Sequence, residues 1–120
     1  MEEDIHSGKG VKADAGKPQW SLMPWEQLKK VVDILTFGAK KYAPDNWKKV
    51  PDGKKRYEDA LYRHMTAWSS GEKVDPESNE THLAHVVCNA LFLMWFEDQE
   101  VFQKERECFE ILKKKQEEQQ

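Results

Sequence analysis

Apolar residues recur along this chain at spacings of three and four, the period of an α-helix rather than of a strand. Trp25, Leu28, Val32, Leu35 and Ala39 mark one face of a first helix. It is expected to start at Pro24, where a missing N–H is tolerated, and to stop near Tyr42, ahead of Pro44. Tyr57, Ala60, Leu61, His64, Met65, Ala67 and Trp68 mark a second helix from about Lys55 to Ser69. Asp59 and Arg63 are expected to pair at i,i+4 on its far side, and Gly71 to end it. A third helix is expected from about Glu80 past Phe96, capped by Ser78 or Asn79. Beyond it, Val101, Phe102, Cys108, Phe109 and Leu112 continue a narrow apolar stripe, and the polar tail from Lys113 to Gln120 is expected to fray. No segment alternates as a strand would. The pattern predicts an all-α fold, a small antiparallel bundle of three to four helices with short connections.

The third helix departs from simple amphipathicity. Of the fourteen residues from Leu83 to Phe96, twelve are apolar, which predicts a helix buried on nearly every side. His82, His85 and Asn89 nevertheless fall within a sector of about 60° on that helix. Buried polar groups need partners. A metal, a carboxylate or a substrate must therefore meet this stripe.

At 120 residues the chain has the length of one domain. A formal net charge of −3, with basic residues spread out, gives no footprint for duplex nucleic acid. Cys88 and Cys108 are about 30 Å apart if one helix carries both, so they are expected to be free thiols. The apolar run is too short for a membrane span, and MEEDIHSGKG lacks the apolar core of a secretory signal. A cytoplasmic protein without membrane partners is the expectation.

The residues with chemical capacity cluster. His64, His82 and His85 fall within 22 residues of one another, together with the loop acids Glu72, Asp75 and Glu77. Imidazole with carboxylate suits Mn, Fe, Co, Zn or Ni, whereas carboxylate with water suits Mg. The same three histidines also suit a purely structural hydrogen-bond network. The spacing of His82 and His85 is not that of a zinc protease, and Met65 after His64 excludes a His-Asp dipeptide. Trp20, Trp25 and Trp47, with Tyr42 and Asn46, are candidates for stacking on a base and reading its edge; they are equally candidates for the core. Lys17, Lys40, Lys41 and Arg63 are candidate phosphate contacts. The segment from Lys12 to Pro18 has the composition of a strap that could close over a ligand.

The ordered strings Lys12-x-Asp14-x-Gly16-Lys17-Pro18, Trp20-Ser21-Leu22-Met23-Pro24, Phe37-Gly38-Ala39-Lys40-Lys41-Tyr42 with Asn46-Trp47, Arg63-His64, Trp68 with Gly71-Glu72, Asp75-Pro76-Glu77-Ser78 and His82-Leu83-Ala84-His85 resemble the dATP/dGTP diphosphohydrolase N-terminal domain family. That family is similar to the all-α, MazG-like nucleotide pyrophosphohydrolases. The resemblance covers about residues 12 to 97. It implies a MazG-like bundle completed by oligomerisation, as a dimer or tetramer. It also implies metal-dependent hydrolysis of a purine deoxynucleoside triphosphate, dGTP or dATP, to the monophosphate and pyrophosphate.

On this footing the expected divalent cofactor is Mg²⁺ or Mn²⁺, with His64, Glu72, Asp75, His82 and His85 as candidate ligands. Glu72, Asp75 and His64 are the candidate catalytic groups. Lys17, Lys41, Tyr42, Asn46, Trp47 and Arg63 are the candidate substrate contacts. One departure stands out: His82 and His85 occupy positions where MazG-like enzymes carry a second acidic pair. The chain accordingly divides into a flexible arm (1–11), a nucleotide pyrophosphohydrolase-like helical domain (12–97) and a C-terminal helical extension with its polar tail (98–120). Two other readings compete: a nucleotide-binding or regulatory helical protein without the chemistry, and a structural oligomeric bundle with a buried histidine network.

Overall fold

The computed structural model describes residues 8–119, so the first part of the expected flexible arm (1–7) lies outside the described residues. Three α-helices carry the fold: α1 (Trp25–Lys41), α2 (Gly53–Ser69) and α3 (His82–Glu118). Short 3₁₀ turns at Trp20–Leu22 and Asn46–Lys49 precede α1 and α2. Among the described residues there is no strand, only one isolated bridge between Val74 and Thr81. The fold is all-α.

Local chemistry accounts for most helix ends. Pro24 sits at the N-cap of α1, Glu26 lies in its first turn, and Lys40 and Lys41 lie in its last, each sign suited to the helix dipole. α2 ends in a Schellman motif: Gly71 takes φ +105°, its N–H bonds Trp68 O, and the Glu72 N–H bonds Ala67 O. α3 begins two residues later than periodicity predicts. Its cap is Thr81, whose hydroxyl accepts from the Leu83 N–H, rather than Ser78 or Asn79. Those two residues are held back in the preceding loop, where Asn79 takes φ +61°. The tail expected to fray instead remains helical through Glu118.

α3 is the spine of the molecule. α2 runs antiparallel to it: Gly53 at the start of α2 lies under Phe96, while His64 near its end meets His82 and His85. The salt bridge from Lys54 to Glu100, 2.8 Å, closes the far end of this pair. α1 packs against the N-terminal half of α3, beside α2, where buried Val31 joins Ala84 and Cys88, flanked by Leu28, Ile34, Leu35 and Phe92. A second cluster is aromatic. Trp47 stacks on Phe92 at 4.2 Å and meets Trp95 edge-on at 5.3 Å, with Tyr57 and Phe96 alongside.

This core is small for the chain that surrounds it. Leu83, Val87, Leu91 and Met94 remain exposed, so α3 is buried on one side only, against the expectation of burial all round. Phe102, Phe109, Ile111 and Leu112 are also exposed on the part of α3 that projects past α2. The radius of gyration is 22.0 Å, against about 14 Å for a compact chain of this length. The elongation and uncovered apolar surface are what a bundle completed by oligomerisation displays. No helix among the described residues is long and apolar enough to cross a membrane.

Candidate functional site

Two features flank α2, and successive residues point to them. His64 turns toward α3, and Arg63, rotated by about 100°, borders a cleft between α1 and α2.

On the α3 side the polar stripe finds its partners. His82 and Asn89 are 4 % and 6 % exposed, so the stripe is buried as the sequence predicts. His82 Nε2 lies 2.9 Å from Glu72 Oε1, and its Nδ1 lies 2.8 Å from His64 Nδ1. A carboxylate accepts, so His82 donates from Nε2 to Glu72, and its Nδ1 accepts from the His64 N–H. The His64 ring stacks on His85 at 4.3 Å with 6° between the planes. His85 Nε2 is 2.6 Å from Ser78 Oγ, whose hydroxyl donates to Asp75 Oδ2 at 2.9 Å. Asn89 Nδ2 donates to the His85 carbonyl at 2.8 Å. Among the described residues, no buried side-chain nitrogen or oxygen is left without a partner.

A folded-back loop supplies the acids. Asp75 N–H bonds Glu80 O and His82 N–H bonds Lys73 O, which ties residues 73–82 into a tight return. The Asp75 carboxylate also accepts from the Glu77 and Ser78 amides at 3.4 and 3.3 Å, so it serves as the staple of this loop.

The electrostatics follow from packing. Burial, then the neighbouring His85, lowers His64 to about 4. Burial also lowers His85, outweighing the pull of Asp75. The 3.5 Å approach of His85 to Asp75 is therefore a contact of a neutral imidazole at pH 7, not an ion pair. Burial alone would raise Asp75, but the Ser78 hydroxyl, the loop amides and His85 together hold it below the usual carboxylate range. Cys88, buried in apolar surroundings, is pushed up to about 11 and is an inert thiol; Cys108 is exposed, and both are free.

Five candidate metal ligands thus meet in one neighbourhood, but they meet one another. A metal needs imidazole lone pairs and carboxylate oxygens aimed at a common point. Here both His82 nitrogens are spent on His64 and Glu72, and Asp75 is spent on its own loop. No group of three or more His, Cys, Asp or Glu side chains among the described residues is disposed to hold a metal ion. In this arrangement the histidines are a hydrogen-bonded network.

On the other side of α2 lies a cleft of about 1120 Å³. The C-terminal half of α1 forms one wall, α2 the other, and the loop from Tyr42 to Pro51 closes one end. The structure brings Tyr42, Asn46, Trp47 and Arg63 together around it, as the sequence grouped them. Lys17 and Lys41 do not line it. Lys17 lies in an exposed turn closed by its own N–H to Asp14 O, and the Lys41 ammonium sits 5.2 Å above the Tyr42 ring. The exposed segment from Lys12 to Pro18 does not reach over the cleft. Trp20 and Trp25 are exposed and lie outside it. The expected Asp59–Arg63 ion pair does not form; both side chains line the cleft instead. Phe37, Lys49 and Arg56 also border it; the sequence marks Phe37 only as part of the family string and none of the three as a ligand contact, although Arg56 stands seven residues before Arg63 and so shares its helical face.

Residues 7–106 match the family described as dATP/dGTP diphosphohydrolase, N-terminal. No curated protein and no solved structure matches the chain.

Proposed function

The chain belongs to the dATP/dGTP diphosphohydrolase N-terminal family, and we propose that it serves there as a nucleotide-binding helical module for purine deoxynucleoside triphosphates. One observation carries this reading. Four of the six residues suited by chemistry to a nucleotide border a single cleft, Tyr42, Asn46 and Trp47 from its closing loop and Arg63 from α2. A volume of about 1120 Å³ is ample for such a ligand. The side chains suited to catalysis face the other way. His64, Glu72 and Asp75 are engaged with His82, His85 and Ser78 and do not line the cleft, so their arrangement suits a network that fixes α2, α3 and the loop between them. Further copies of the chain would cover its exposed apolar faces.

A second reading is favoured by the family itself: hydrolysis of dGTP or dATP to the monophosphate and pyrophosphate with Mg²⁺ or Mn²⁺. The divalent ion would supply Lewis acidity at the phosphate chain. One experiment separates the two. Calorimetric titration with dGTP and dATP, in EDTA, Mg²⁺ or Mn²⁺, is paired with a pyrophosphate-release assay under the same conditions. Binding without release supports the module. Release that depends on the metal and disappears in Glu72→Ala or His82→Ala supports the hydrolase, and no binding in any condition overturns both.

A further inference from the structure

Trp47 is one of the candidate base platforms in the sequence and borders the cleft, but its ring is engaged by other side chains. One face of the indole is stacked on Phe92 at 4.2 Å, the Lys48 ammonium lies 5.4 Å from its centroid, and Trp95 and Phe96 meet it edge-on. Its carbonyl accepts a hydrogen bond of 2.9 Å from the Tyr57 hydroxyl. These contacts make Trp47 the anchor that holds the cleft-closing loop to α2 and α3.

The free rings lie at the C-terminal end of α1. Phe37 and Tyr42 border the cleft while 58 % and 64 % exposed. Between them Gly38 leaves a gap: a Cβ built there meets nothing within 4 Å, so a flat group can approach the helix backbone. Facing this wall, Arg56 and Arg63 stand seven residues apart on α2, two turns or about 10 Å along one helical face. Lys49, from the closing loop, adds a third cation. One wall is flat and apolar and the other carries guanidinium forks suited to phosphate oxygens. A ligand matching both has an aromatic ring at one end and a polyanion at the other.

We propose that the cleft seats a nucleoside triphosphate with its base against Phe37 and Tyr42 and its phosphates toward Arg56 and Arg63, Trp47 being a structural anchor outside the contact. This assignment rests on the nucleotide-binding reading above and specifies which groups perform it. The three ligand ends are separable with three probes: dGTP, deoxyguanosine and inorganic tripolyphosphate, each titrated calorimetrically against the full chain. All the altered arginine and phenylalanine side chains are exposed, and circular dichroism checks each variant's fold.

Phe37→Leu is expected to weaken dGTP and deoxyguanosine about tenfold, the scale of one base–aromatic stack, and to leave tripolyphosphate unchanged. The double variant Arg56→Gln/Arg63→Gln is expected to weaken dGTP and tripolyphosphate about 100-fold and deoxyguanosine little. Trp47→Phe is expected to lower the melting temperature while leaving the dGTP affinity of the folded protein within about threefold. If the wild type binds dGTP but Phe37→Leu and the arginine double variant bind it equally well, the assignment is overturned and the nucleotide reading survives. If the wild type binds neither dGTP nor tripolyphosphate, that reading falls, and the assignment with it.

Discussion

The same chemical change, glycine to alanine, should have opposite effects at two helical positions. Gly38 lies in α1 with its would-be Cβ in open space. Gly53 is buried at the first position of α2, where a Cβ would stand 2.8 Å from Phe96 Cζ, 3.3 Å from Phe96 Cε2 and 3.4 Å from Tyr57 Cε2. At Gly38 the substitution recovers the helix-propensity cost of glycine, up to about 1 kcal/mol, with no opposing contact. At Gly53 the ring of Phe96 must move. That ring packs against Tyr57, Trp95 and Trp47, so the strain spreads through the aromatic cluster that holds α2 to α3. Overpacking of this kind costs about 1–3 kcal/mol, and propensity gained at a helix end offsets little of it. For a chain of this size 1 kcal/mol moves the melting temperature by roughly 3–6 °C. Gly38→Ala should therefore melt about 3–6 °C above the wild type, and Gly53→Ala several degrees below it. Circular dichroism at 222 nm, at one fixed protein concentration because assembly also stabilises, gives the comparison. Shifts of the same sign would refute the argument that the space beyond each glycine, rather than the residue type, decides the outcome. The same Gly38→Ala protein should also bind dGTP more weakly, since its methyl group enters the gap between Phe37 and Tyr42.

Acid should loosen the α2–α3 pair. His64 is lowered to about 4 in the fold, chiefly by burial, so between the ordinary value near 6.5 and about 4 the unfolded chain binds the proton first. Stability is then fully present above pH 6.5 and falls as pH drops toward 4; a melting temperature flat across that range, or an equally steep fall in His64→Gln, would contradict this. Replacing His82 by Leu leaves the half-buried His64 N–H without its acceptor, while water takes up the exposed Glu72 carboxylate, and should cost about 1 kcal/mol in urea denaturation. Asp59 lines the cleft between Arg56 and Arg63, so Asp59→Asn should tighten dGTP binding in EDTA by roughly two- to fivefold, the effect of removing one exposed like charge, by calorimetry. Light scattering should give a mass that is a multiple of 14.1 kDa, and Phe102→Glu with Phe109→Glu should reduce it toward the single chain.

The sequence by itself determined the helices and the existence of a buried polar stripe. Both follow from local rules: a rotation of about 100° per residue aligns His82, His85 and Asn89, and proline, glycine and hydroxyl residues set the helix ends within a few positions. It also grouped Tyr42, Asn46, Trp47 and Arg63 by their chemistry. Only the tertiary structure decided what each group meets. His82 is partnered by His64 and Glu72, and His85 by Ser78, because the loop between α2 and α3 folds back on itself; no periodicity encodes that return. Trp47 becomes an anchor because Phe92, 45 residues later in the chain, covers its face. Phe37 and Arg56 gain their meaning from the opposing wall, and Gly38 and Gly53, alike as letters, differ only in what lies beyond them. Periodicity reports the direction a side chain leaves its helix; the identity of its neighbour depends on how separate segments pack, and that is a property of the whole fold.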